Sequence, residues 1–191
     1  MSSKDGDLKF EIKLKGRHNR FNASVSVLCA QLFGIDNNKI AELLNSFDAI
    51  EHRLESIILH EGVEYINDSK ATNVDSTLYA LEAVDAPIIW IAGGTDKGND
   101  YASLMRLVEE KVKVLICLTK EDQKLRSAFE SVVENIFSTQ IVEEAVVYAM
   151  DHAEQGDTVL LSPACASFDL FKNYLDRGDQ FKAAVLSKKN E

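Results

Sequence analysis

The chain has no excess of cations: 21 Lys and Arg stand against 31 Asp and Glu, a net charge of −10. Binding a phosphate backbone needs a face dominated by Lys and Arg. Here they are scattered among carboxylates, so nucleic acid is not an expected partner. No apolar run reaches the roughly 20 residues that span a bilayer, and the polar N-terminus has no apolar signal segment. The expectation is a cytoplasmic protein with no membrane partner. Cysteine is sparse. Cys29, Cys117 and Cys165 are odd in number and widely spaced, which fits neither a disulfide framework nor a zinc site. Cys29 and Cys117 read as small core residues. Both glycine fingerprints for nucleotides, G-x-G-x-x-G and G-x-x-x-x-G-K-[ST], are missing, which disfavours an NAD(P) oxidoreductase.

What is present suffices for a folded protein. With 46% apolar and 27% charged residues over 191 positions, the chain can build one domain plus a remnant, or two small domains. Leu8-Lys9-Phe10-Glu11-Ile12-Lys13-Leu14 alternates as one half-buried strand, which by itself would not be stable. An apolar helix through Ala23, Val27, Leu28, Ala30 and Leu32 is expected to end at a left-handed cap on Gly34. His18, Asn19 and Asn22 lie at its start, where Asn19 or Asn22 can serve as N-cap. Asp36 is placed to cap a second helix bearing Ile40, Leu43, Leu44 and Phe47 on one face.

Helical periodicity gives way to alternation between Ala49 and Arg53, which divides the chain into 1–49 and 50–191. Arg53 to His60, Glu61-Gly62 and Val63 to Asn67 read as a hairpin with a short turn. Strands and helices then alternate. Helices are expected over Asp75–Val84, Tyr101–Glu110, Asp122–Glu134, Glu143–Ala153 and Asp169–Ser187. Strands are expected over Ile88–Ala92, Val112–Leu118 and Thr158–Leu161. Runs as continuous as Ile88-Ile89-Trp90-Ile91-Ala92 suit strands buried on both faces. The predicted class is α/β, a doubly wound and mainly parallel sheet, preceded by a strand and two helices.

Ligands of such sheets gather at the carboxyl ends of strands, and three loops there are unusually polar or glycine-rich. Ile66 to Asn73 packs one carboxylate, one ammonium, two hydroxyls and two carboxamides into eight residues, whereas a helix cap needs one such residue. It is either an over-decorated cap or a ligand site. Gly93-Gly94-Thr95-Asp96-Lys97-Gly98 reads as a turn or as an anion site with Lys97 as the charge. Ser162-Pro163-Ala164-Cys165-Ala166-Ser167 sets hydroxyls and backbone N–H groups before a helix, which suits a carboxylate or phosphate. Cys165 as a nucleophile is disfavoured, because no His lies beside it in sequence.

Taken together, His18-Asn19 with Asn22, His52-Arg53, Asn67 to Asn73, Gly93-Gly94 with Lys97, Ser162 to Ser167, Phe171-Lys172-Asn173 and Arg177-Gly178 resemble the Mur ligases. The order and spacing are similar to the D-glutamate-adding, MurD-type branch and run from about Lys15 to the C-terminus. The resemblance implies the last of three domains (50–191), preceded by the closing segment of the central ATPase domain (1–49). The UDP-binding domain and the phosphate loop of the ATPase have no counterpart here. It implies ATP and Mg²⁺ as cofactors, the metal held mainly by the central domain. It also implies an acyl phosphate on UDP-N-acetylmuramoyl-L-alanine that the amine of D-glutamate attacks.

By the same resemblance, Asn22 and Arg53 contact the adenine end of ATP, and Asp68 and Lys70 the ribose and its neighbours. Thr72, Lys97 and Ser167 hold the D-glutamate carboxylates. Tyr174, where the pattern often has Phe, lies near the glutamate side chain. No residue of this chain is assigned a catalytic or metal-ligating role. The alternative is a stand-alone module that binds a nucleotide or amino acid without chemistry. Asp68 and Lys70 are expected to be exposed, so that replacing either changes stability by only about ±0.5 kcal/mol.

Overall fold

A computed structural model of the chain describes residues 16–47 and 50–188. It divides into two compact units, Met1–Ala49 and Ile50–Glu191. In the first, α1 (Arg17–Leu32) is followed by Gly34 at φ 74° and then by α2 (Asn37–Ser46). The Asp36 carboxylate accepts from the N–H groups of Asn38 and Lys39, the cap expected of it. The strand expected at Leu8 to Leu14 lies outside the described residues. Helix α1 begins earlier than expected, with Gly16 in the cap position, so Asn19 and Asn22 are internal helix residues and not caps. Cys29 is exposed, which corrects its assignment to a core.

The second unit opens with β1 (Glu55–His60) and β2 (Val63–Asn67), an antiparallel hairpin. Its turn puts Glu61 at φ 51° and Gly62 at φ 80°, the pair of positive angles that suits the right-handed twist of both strands. Then come α3 (Val74–Ala83), β3 (Ile88–Ala92), a 3-10 turn (Ala102–Leu104) running into α4 (Met105–Lys111), and β4 (Val112–Leu118). The chain continues with α5 (Gln123–Phe129), β5 (Asn135–Thr139), α6 (Val142–His152), β6 (Thr158–Leu161) and α7 (Tyr174–Lys188).

The strands order as β1-β2-β6-β3-β4-β5, and every pairing after the hairpin is parallel. Alternate residues of each strand feed two cores, one on each face. Ile66, Trp90, Leu115 and Leu160 pack with α3, α4 and α5, while Tyr65, Ile91, Ile116 and Val159 pack with α6 and α7.

Two departures have plain causes. Strand β5 is absent from the sequence reading, because an edge strand with one fully buried residue carries no apolar run. The helix expected over its approach stops at Phe129. The last helix starts at Tyr174 and not Asp169, because Asn173 caps it by accepting from the Asp176 N–H.

The hairpin is tied to α7 through His52, only 2% exposed and at φ 63°. The Asn67 amide donates to its Nδ1 at 2.9 Å and to the Gly178 carbonyl at 3.3 Å. The imidazole fills the space over Gly178, where a Cβ would lie 2.2 Å from Nδ1. Gly178→Ala is therefore expected to lower the unfolding free energy by about 1–3 kcal/mol, as overpacking does. Urea unfolding checks this, and the loss should shrink on a His52→Ala background; equal losses on both backgrounds would contradict the contact.

Candidate functional site

Because β2, β6, β3 and β4 are consecutive in the sheet, the loops that leave their carboxyl ends meet. They are 67–73, 162–167, 93–98 and 119–122. A buried cation joins the first three. Arg177, 1% exposed, donates from Nε to Ser69 Oγ at 3.0 Å and from Nη2 to the Ser69 carbonyl at 2.8 Å. Nη1 reaches the Gly93 carbonyl at 3.3 Å and the Cys165 carbonyl at 3.2 Å. Burial pulls its guanidinium down to about 10, against the attraction of Asp169, so it stays charged at neutral pH.

The loops are also stitched to one another. The Gly93 N–H donates to the Pro163 carbonyl at 2.9 Å and the Thr95 N–H to the Ala166 carbonyl at 2.7 Å. Gly94, at φ 140°, passes so close that a Cβ would stand 2.1 Å from the Ala166 oxygen. Below them the Ser162 carbonyl accepts from Trp90 Nε1 at 2.7 Å, anchoring its loop to β3.

In the 67–73 stretch Asn73 alone caps α3, by accepting from the Ser76 N–H. The other polar groups have different partners. Asp68 accepts from the Leu54 N–H at 3.2 Å through Oδ1 and from the Ser162 hydroxyl at 2.8 Å through Oδ2. It is 7% exposed, which corrects the expectation of an exposed group. Burial outweighs both hydrogen bonds and the charges of Arg53 and Arg177, and pushes its carboxyl up to about 7. Lys70 is half-buried, and its ammonium donates to the Tyr174 hydroxyl at 3.0 Å.

Seven of the eight expected site residues belong to this unit. Arg53 and Lys97 are exposed, Thr72 and Tyr174 are half-buried, and Ser167 is 2% exposed. The Lys97 loop is shaped by Asp96, which accepts from the Gly98 and Asn99 N–H groups, each at 2.8 Å. Neither the Lys97 ammonium nor the Ser167 hydroxyl has a protein partner among the described residues, so both are available as donors. Asn22 lies in the other unit, exposed on α1. Cys165 is buried, beside the Asn99 amide at 3.2 Å and the Tyr101 hydroxyl at 3.3 Å. Burial raises its thiol pKa, away from the thiolate a nucleophile needs.

Sequence reasoning gives no role to His52, Arg177 or Asp169. Asp169 takes the Thr119 hydroxyl at 2.9 Å and fixes the end of β4 to the segment that follows the 162–167 loop. For Arg177 a signal exists. It shares one buried helix face with Phe181, Ala184 and Val185, a position where a cation needs a reason.

The raised pKa of Asp68 gives a pH dependence. The folded state keeps a proton that the unfolded state, at about 3.9, gives up. The associated stability is complete below about pH 4 and is lost as pH rises through about 7. Asp68→Asn has no such proton. Its unfolding free energy should gain on that of the wild type by about 2–3 kcal/mol between pH 5 and 8. Paired denaturant titrations across that range check this; a constant difference would show that Asp68 is ionised throughout.

Comparison with known proteins places this geometry. The family model "Mur ligase, glutamate ligase domain" matches residues 52–165. A UDP-N-acetylmuramoylalanine-D-glutamate ligase from Christiangramia forsetii is 51% identical over 92% of this chain, and the chain spans 39% of that relative's length. Among solved structures, a MurF from Acinetobacter baumannii aligns with a TM-score of 0.71 at 17% identity, over 93% of this chain and 40% of that one. A MurF ligase from Thermotoga maritima in complex with ADP aligns at 0.62 and 13% identity, over 92% and 39%. The chain belongs to the Mur ligase family, and the unit that gathers these loops carries its C-terminal, glutamate ligase domain.

Proposed function

We propose that this chain is the C-terminal part of a cytoplasmic, ATP-dependent ligase that joins D-glutamate to UDP-N-acetylmuramoyl-L-alanine through an acyl phosphate, in peptidoglycan synthesis. The observation that carries the reading is the 51% identity, over 92% of the chain, to a protein named for that reaction. The three joined loops support it, since they offer Lys97, Ser167 and the half-buried Thr72 on one end of the sheet. In this reading Lys97 supplies a point charge for a D-glutamate carboxylate, while Thr72 and Ser167 add hydroxyl donors. Tyr174 flanks the glutamate side chain.

Asn22 and Arg53 take the adenine end of ATP, and Asp68 and Lys70 the ribose. Both Asp68 oxygens already accept one hydrogen bond, but each carboxylate oxygen has room for a second, so a ribose hydroxyl can still donate to it. The ADP bound in the Thermotoga maritima MurF supports a nucleotide for this chain too. Mg²⁺ is assigned mainly to the central domain of the parent ligase, as the family resemblance implies. The Met1–Ala49 unit is read as the closing segment of the central ATPase domain. Phe21, Leu28, Leu32 and Phe33 are 60–87% exposed there, apolar surface that suits a covering domain.

On this division of labour the chain captures and positions reactants, and the phosphate chemistry lies elsewhere. Holding reactants in register is worth roughly 7–11 kcal/mol of barrier, which is lost when one wall of the cleft is absent. Phosphate release by this chain alone, given ATP, Mg²⁺, the UDP-sugar and D-glutamate, should stay at background. Turnover of about 1 per second or more would contradict the reading. In the full-length protein, Lys97→Ala should weaken D-glutamate by about 1.5–3 kcal/mol, the loss of a hydrogen bond to a charged group. An unchanged KM for D-glutamate would remove Lys97 from the site.

A further inference from the structure

Lys97 sits on a short turn that is fastened to the 162–167 loop both before and after it. Before it, the Thr95 N–H donates to the Ala166 carbonyl at 2.7 Å, and these two residues form an isolated antiparallel bridge. After it, the half-buried Asn99 side-chain amide donates to the Ala164 carbonyl at 3.1 Å. The Cys165 sulfur and the Tyr101 hydroxyl lie 3.2 Å and 3.3 Å from the same nitrogen, so both of its hydrogens meet acceptors.

Asp96 shapes the turn but does not aim it. Its Oδ1 takes the N–H groups of Gly98 and Asn99, which fixes how residues 96–99 fold on themselves. Its Oδ2 takes the Lys124 ammonium at 2.8 Å, and an ion pair with an exposed lysine is screened by water and contributes little. The turn is held against the 162–167 loop by the main-chain bond at Thr95 and by the side chain of Asn99. Truncating that side chain leaves the Asn99 main-chain N–H on Asp96, so the clasp can be removed without the turn.

We propose that Asn99 is a positioning residue for amino-acid capture: its amide clasps the Lys97 turn to the 162–167 loop and so fixes where Lys97 stands relative to Ser167. The inference rests on the proposed function, in which Lys97 and Ser167 hold the carboxylates of one D-glutamate. Two donors on separate loops serve one small ligand well only when their spacing is set beforehand, because a loop that is ordered during binding subtracts that ordering from the affinity. Asn99 itself touches no ligand in this scheme and acts through Lys97.

The test has a kinetic arm in the full-length protein and a structural arm in this chain. Asn99→Ala should lower kcat/KM for D-glutamate about five- to tenfold through KM, with kcat and the KM for ATP within about twofold of the wild type. Asn99→Asp, of the same shape but without donors, should lose at least as much. On a Lys97→Ala background Asn99→Ala should cost less than twofold, since the group it positions is gone. In the structural arm, ¹⁵N relaxation of this chain should show the Lys97 and Gly98 amides more mobile in Asn99→Ala, while Ala92 and Leu161 in the strands stay rigid. An unchanged KM for D-glutamate, an equal loss on the Lys97→Ala background, unchanged mobility at Lys97 and Gly98, or loosening that includes the strands overturns the proposal. A wild-type full-length protein that does not join D-glutamate to the UDP-sugar would overturn the ligase function and with it the ligand, whereas the amide mobility decides the clasp in either case.

Discussion

The buried guanidinium of Arg177 is the constraint on which the ligand end of the sheet depends. A charge with 1% exposure is costly to desolvate, and it is tolerated only when its donors are matched. Here the matching groups are three main-chain carbonyls and one hydroxyl, drawn from loops that follow three different strands. None of these is a carboxylate. The attraction of Asp169 and Asp68 acts at longer range and offsets part of the burial. Guanidinium donors engaged in this way cannot serve a ligand. The arrangement therefore commits a cation to the frame that holds the three loops together.

A second network lies beneath the first. Asp68 joins Leu54 of the hairpin to Ser162 at the end of β6, and Trp90 of β3 holds the Ser162 carbonyl. Strand ends that would otherwise be separate thus share one residue. Such a rigid base suits the positioning role proposed for this domain, since small displacements of bound reactants cost large factors in rate. It also explains why a residue expected to serve a nucleotide is bound so deeply into the fold. Each Asp68 oxygen accepts one hydrogen bond from the frame.

The parts of the fold legible in the sequence are those whose signal is local. Ile88–Ala92 and Val114–Leu118 are apolar without interruption because both faces are covered, and both strands form where expected. Strand β5 is hidden because edge position leaves it mixed in character. The polar loops are legible as an excess of functional groups over what caps require, and Asn73 does account for only one of them. What stays hidden is tertiary. The Ser69 hydroxyl and Arg177 are 108 positions apart, and nothing local tells that Asp68 turns inward or that Cys29 stays outside. The sequence marks Tyr174 only as a residue beside a ligand, and its hydrogen bond to Lys70 emerges once α7 is seen against the 67–73 loop.

The most direct test of the central claim is amide hydrogen exchange in Arg177→Met. Removing the guanidinium leaves buried carbonyls of three loops without donors, each costing about 1–3 kcal/mol. Exchange should therefore accelerate together at Ser69 to Ala71, Gly93 to Thr95 and Ala164 to Ser167, while β3 and β4 stay protected. Acceleration confined to α7, or protection in the three loops that matches the wild type, would contradict the account.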